Sequence, residues 1–204
     1  PIKLNYSNKE VKKKTNDSTF IQTTLRYQDQ DQQWKYLEVK IRRRGDFRLN
    51  NCYFPPIKMK IKKNQREGTL FDGNKTLKLV MPCKIESENN DNILQEFIAY
   101  KIYEQISPYH FKTRRVNIDF TEPKGKKKVK TFKLKGFLIE DVDNVAKRLN
   151  GKEIKRRIMP LHQDDLASVR NSFFQYMIAN TDFSTKYNHN GKLLFIDKKI
   201  IPLP

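Results

Sequence analysis

Two stretches of the chain alternate apolar and charged residues with a period of two. Leu37, Val39 and Ile41 alternate with Glu38, Lys40 and Arg42, and Ile57, Met59 and Ile61 alternate with Lys58, Lys60 and Lys62. A helix would scatter these residues around its circumference, whereas a strand puts one set on each face. The alternation therefore requires sheet with one face buried and the other presenting charge to water, as in half-buried antiparallel strands. Turn chemistry separates the strands. Arg44-Gly45-Asp46 and Asn50-Asn51 lie between the first two, and Phe71-Asp72-Gly73-Asn74 leads into a third, Leu77-Lys78-Leu79-Val80.

From Asn92 to Ile106 the period changes, and Leu94, Phe97, Ile98, Ile102 and Ile106 fall on one helical stripe, with Asn90 or Asp91 placed to cap it. A lysine-rich run, Lys124, Lys126 to Lys128, Lys130, Lys133 and Lys135, reads as a solvated hairpin tip between strands 116–120 and 132–138. A short helix over 143–149 closes at Asn150-Gly151, and a second long helix over 164–179 has Leu166, Val169, Phe173, Met177 and Ile178 as its expected buried stripe. Residues 192–201 read as a final hairpin. The order is α+β, with an antiparallel β-rich N-lobe and a more helical C-terminal part. Residues 1–36 form an arm or the first strands, 37–139 the β-rich lobe, and 140–204 the helical portion.

Lys and Arg number 42 against 23 Asp and Glu, a net charge of +19 over 204 residues. Such a balance draws a chain toward nucleic acid, other polyanions or anionic membrane. The cations are spread through nearly every stretch, as on a highly charged soluble surface, and are not interleaved with exposed aromatics as a single-strand platform requires. No apolar run approaches the roughly 20 residues of a membrane-spanning helix. Cys52 and Cys83 lack zinc-site spacing; if the protein is exported, a bridge between them and two free thiols are both open, and if it is cytosolic, two free thiols are expected.

Phosphate-binding glycine loops and a Gly-x-Ser-x-Gly elbow are both missing from the sequence. Past the second long helix, Asp182 is followed by Asn188, His189 and Asn190. A carboxylate that orients a hydroxyl and a carboxamide that holds a metal are the groups phosphoryl transfer needs, although a cap and turn use the same residue types. His189 reads as a turn or capping residue. Lys58 and Lys60 are either a solvated strand face or nucleotide lysines facing Glu96 in the helix. Glu140 to Asp143 is a hinge or the N-cap of the short helix.

Taken in order, Val39 to Arg48 with Cys52-Tyr53-Phe54-Pro55-Pro56, Leu70-Phe71-Asp72-Gly73, Leu94 to Tyr103, Gly136 to Asp143 and Asn180-Thr181-Asp182 with His189-Asn190 resemble the CotH kinase-like family. The resemblance runs from about residue 37 onward and extends to the family's secreted bacterial relatives. It implies an atypical protein-kinase-like fold, ATP with Mg or Mn, and phosphoryl transfer to protein hydroxyls. Asp182 would be catalytic, Asn190 or Asn188 would hold metal, Lys58 or Lys60 with Glu96 would meet the nucleotide, and Glu140 to Asp143 would form the hinge. A further metal-binding Asp is expected beyond Pro204, so the fold would be C-terminally incomplete. The resemblance also implies export to the periplasm, cell surface or exterior. Alternatives are a non-catalytic kinase-like module of the envelope or matrix, and a polyanion-binding basic protein.

Overall fold

In the computed structural model the strands alternate as their sequence requires, and the sheet they form closes on itself. The structure describes residues 1–204 except 46, 86–88, 126–127 and 188, and only the backbone of residues 47, 89 and 90. The chain divides into two compact units, Pro1–Phe97 with Thr113–Ile139, and Ile98–Lys112 with Glu140–Pro204.

The first unit begins with β1 (Ile2–Asn5), α1 (Asn8–Lys14), β2 (Ile21–Gln28) and β3 (Trp34–Arg43). It continues through α2 (Phe47–Asn51), β4 (Ile57–Ile61), α3 (Lys63–Arg66) and β5 (Thr76–Val80). Helix α4 (Asn89–Ile106) starts in this unit and ends in the other; β6 (Thr113–Lys124) and β7 (Lys128–Glu140) form the long hairpin. The strands follow one another as β1-β2-β3-β4-β5-β7-β6, and β6 returns to β1 to close a barrel. That last pairing is parallel, with Ile2 opposite Ile118 and Leu4 opposite Phe120.

Apolar residues fill inward positions on every stave: Leu4, Leu25, Val39, Met59, Leu79, Ile118 and Leu134 are among them, and all are buried. A barrel of this strand number is just filled by its own side chains. Aromatic rings pack within it, Phe54 against Phe120 at 5.7 Å and Phe132 at 5.2 Å, and Tyr6 against Phe120 at 4.7 Å. Gly136 on β7 is required by space, since a Cβ there would stand 2.6 Å from the Val80 carbonyl oxygen and 2.7 Å from Ile118 Cδ1. Cys52 and Cys83 are joined in a disulfide.

The second unit carries α5 (Val142–Arg148), β8 (Lys152–Ile154), a short 3-10 turn at Pro160–His162, α6 (Asp165–Met177), β9 (Lys192–Ile196) and β10 (Lys199–Leu203). Its sheet has the order β10-β9-β8, antiparallel throughout. Gly151 N–H donates to the Ala146 carbonyl at 2.8 Å and closes α5.

These findings correct the kinase-like expectation. A closed, mixed seven-stranded barrel replaces the open antiparallel lobe, and strand exceeds helix, 37% against 28%, where a helical C-lobe would reverse them. Parallel pairing of β1 with β6 is the cause, because it joins the two edges that an open sheet would leave free.

The buried stripe of α6 is also not the expected one. Leu166, Val169, Phe173 and Met177 are exposed, whereas Ala167, Asn171, Phe174 and Gln175 face inward. The inward amides are satisfied locally: Gln175 Nε2 donates to Asn171 Oδ1 at 3.4 Å, and Asn180 Nδ2 donates to Gln175 Oε1 at 2.7 Å. Phe174 meets the Tyr103 ring edge to face, with centroids 4.8 Å apart. On α4 the same inversion exposes Ile98, Ile102 and Ile106, while Ile93 and Tyr103 are buried. Its cap side chain at Asn90, and Asp46 of the first turn, lie outside the described residues.

Candidate functional site

Because side chains alternate along β3 and β4, burying Val39, Ile41, Met59 and Ile61 forces Lys40, Arg42, Lys58 and Lys60 onto the outer wall of the barrel. The register then sets like charges side by side. Lys40 lies opposite Lys60, Arg42 opposite Lys58, and Lys58 opposite Lys78 on β5. A like-charged cross-strand pair with no counter-charge costs on the order of 0.2–1 kcal/mol. The ring of Phe20 lies beneath two of these cations, 5.7 Å from Arg42 Cζ and 6.0 Å from Lys60 Nζ. Arg42 Nη1 also donates to Asp17 Oδ1 at 2.7 Å.

The same wall continues onto β2 and β1. Outward on β3 beyond Glu38 stand Tyr36 and Trp34, 70% and 44% exposed. Arg26 on β2 pairs across with Tyr36, and Lys3 on β1 pairs with Arg26. Lys3 Nζ lies 4.2 Å from the centre of the Trp34 ring. Glu38 is the acidic residue in the middle of this β3 row, and its carboxylate is already engaged. It accepts from Gln22 Nε2 at 2.9 Å and Thr24 Oγ1 at 3.1 Å, which hold it below the usual carboxylate range. On the other side of Lys3, Asp119 of β6 is its cross-strand neighbour.

Glu96, in the first half of α4, accepts from Arg48 Nη2 at 3.2 Å. Glu140 is buried at the end of β7, where Arg148 Nη2 reaches it at 2.9 Å and the Lys112 N–H at 3.0 Å. Arg148 also donates to the His110 carbonyl at 2.7 Å, so Glu140 anchors α5 to the 110–112 segment. Asp143 is exposed in the first turn of α5, where the helix dipole favours a carboxylate. Asp141 occupies the N-cap position.

Asp182 and Asn190 are together. Asn190 Nδ2 donates to Asp182 Oδ2 at 2.7 Å and to its carbonyl at 3.0 Å, and His189 Nδ1 lies 3.3 Å from Oδ1. Asn180 Oδ1 accepts from the Asp182 N–H at 3.2 Å, and Ser184 bridges to His189. Asn188 lies outside the described residues. The pair supplies one carboxylate and one carboxamide, and among the described residues no three His, Cys, Asp or Glu side chains gather as a metal site. A hard cation held there would draw most of its oxygen ligands from phosphate and water.

Sequence reasoning missed Glu122, which is fully buried. It accepts from Tyr53 OH at 2.6 Å and the Asn8 N–H at 3.1 Å, and Lys124 Nζ lies 3.2 Å away. Burial, and then the hydrogen bond to Glu122, push the Tyr53 hydroxyl up. Parity with Ile118 and Phe120 is the signal that places Glu122 inward. Compared with protein-family models, curated proteins and solved structures, the chain matches none. Among the described residues no helix is long and apolar enough to cross a membrane.

Proposed function

We propose that the chain is a polyanion-binding module whose outer barrel wall holds a phosphate- or sulfate-bearing polymer. The carrying observation is the in-register opposition of Lys40 with Lys60 on adjacent strands. Such a pair works against the sheet until an anion lies across it, which favours a bound state over a bare one. Lys3 and Arg26 extend the positive wall onto β1 and β2. The lysine-rich hairpin adds cations at Lys128, Lys130 and Lys133, which are exposed. A bridged Cys52–Cys83 pair fits an oxidising compartment, so the polymers met there would be those outside the cytosol.

The test is binding of heparin and of oligonucleotides as a function of salt. Four or five phosphate contacts on a single strand give a log–log slope of about −3, a weakening of roughly 60-fold between 50 and 200 mM salt. Lys40→Glu with Lys60→Glu is expected to abolish this binding, and Lys130→Glu with Lys133→Glu to reduce it less. Affinity that ignores both salt and the first pair refutes the reading.

A second reading is favoured by the Asp182–Asn190 pair at 2.7 Å. It is the ATP- and Mg- or Mn-dependent phosphoryl transfer to protein hydroxyls that the CotH resemblance implies, with Asp182 orienting the hydroxyl and Asn190 toward the metal. Its support is the pairing itself, not the barrel. Calorimetry with ATP and Mg on the chain and on Asp182→Ala tests it: metal-dependent binding lost in the variant supports the reading, and silence from both removes it.

A further inference from the structure

We infer that the polymer held by the wall is a single-stranded nucleic acid whose bases stack on Trp34 and Tyr36; this rests on the polyanion reading above. Charge alone does not account for those two rings. An outward Trp and Tyr on a barrel stave contribute nothing to the core, and Tyr36 keeps 70% of its surface in water. They stand two residues apart on one face of β3, about 6.8 Å along the strand, and cations flank both. Lys3 lies on the Trp34 ring and Arg26 sits across from Tyr36. A flat apolar face beside a cation is the pairing that an unstacked base and its phosphate occupy together.

A sulfated polysaccharide would bring only the C–H face of a sugar to the rings, so heparin is the comparison that separates a base from a sugar. A duplex keeps its bases inside the helix and offers the rings no free base. The major groove admits a helix or a two-stranded ribbon, not the broad wall of a barrel. Beyond the aromatic end, Lys40, Lys60 and Arg42 continue down the same face, so a strand stacked at Trp34 is led across the cationic rows.

Trp34 is the sole tryptophan, so its fluorescence reports directly on the site. The probes are an oligothymidylate of about 12 nucleotides, within the site sizes of small barrels, a duplex of equal length, and heparin. The oligothymidylate is expected to quench Trp34 and to bind in preference to the duplex. Read by the anisotropy of labelled oligothymidylate and heparin, which does not depend on Trp34, Trp34→Ala with Tyr36→Ala is expected to weaken oligothymidylate binding roughly 10-fold or more while leaving heparin affinity unchanged, and Trp34→Phe with Tyr36 kept to retain most of it. Both positions are exposed, and unchanged melting of each variant checks that it folds. If all three polymers bind alike and the double alanine variant loses nothing, or if the duplex is preferred, the base-stacking inference is overturned while the polyanion reading stands. If no polymer binds, both fall.

Discussion

Opening the Cys52–Cys83 bridge should cost the barrel unit more stability than most single side chains can. The two cysteines are 31 residues apart in sequence and close a loop that contains all of β4 and β5. For a loop of that length the chain-entropy relation gives about 3.7 kcal/mol at 25 °C, gained by restricting the unfolded chain. The native side adds hydrogen bonds that depend on the same crossing, since Tyr53 N–H donates to the Cys83 carbonyl at 2.7 Å and Lys12 Nζ to the Cys52 carbonyl at 2.7 Å. At roughly 2–4 °C per kcal/mol for a chain of this size, the melting point should fall by roughly 7–15 °C. Urea unfolding of the oxidised protein, the reduced protein and the Cys52→Ala, Cys83→Ala variant measures this. Cys52 is buried, so the alanine variant also leaves a small hollow, and the reduced protein isolates the cross-link. A reduced protein within about 1 kcal/mol of the oxidised one would refute the loop argument, because the entropy term alone exceeds that by more than threefold.

Neighbouring phenylalanines on α6 should behave oppositely: Phe174→Ala should cost about 3–5 kcal/mol, and Phe173→Ala less than about 0.5 kcal/mol, as read by chemical denaturation. Asp164 caps α6 by accepting from the Ala167 N–H at 3.0 Å and faces Lys199 Nζ at 2.9 Å; Lys199 first and the capping bond second hold its carboxyl below the usual range. A depressed folded pKa means that the contribution is present above the ordinary carboxyl value and disappears as pH falls through the folded one. Asp164→Ala should therefore cost about 1 kcal/mol at neutral pH, with the gap from wild type closing under acid titration. Gly136→Ala should destabilise by about 1–3 kcal/mol, because the Val80 carbonyl it meets is backbone and cannot rotate away; an unchanged melting point would show that β5 and β7 can separate freely.

Strands β3, β4 and β5 and the β6–β7 hairpin were legible because alternation is a local signal, and burying one parity fixes the other. Closure was not, since Ile2 and Leu4 carry nothing that names Ile118 and Phe120 as partners. Helix α6 was placed correctly, but its faces were exchanged. A helix of that composition offers two stripes, and the one with Asn171 and Gln175 won because its amides satisfy each other. The candidate surface was hidden for a different reason. Lysines 40, 58 and 60 were visible as alternating charges, yet their interleaving with Trp34 and Tyr36 depends on Lys3 and Arg26 arriving from two other strands. Linear reading separates residues that the register brings together. Asp182 and Asn190, eight positions apart on one loop, needed no such register to meet.

The parallel pairing of β1 with β6 also imposes an order in time. Ile2 leaves the ribosome long before Ile118, its partner, and at 5–20 residues per second the interval is roughly 6–23 s. During that interval β2, β3, β4 and β5 can assemble through neighbours close in sequence, while the far side of β1 has nothing to meet. Loop closure over so long a span is slow, and an unpaired edge is open to other chains while it lasts. The barrel is therefore sealed onto the earliest made of its own strands.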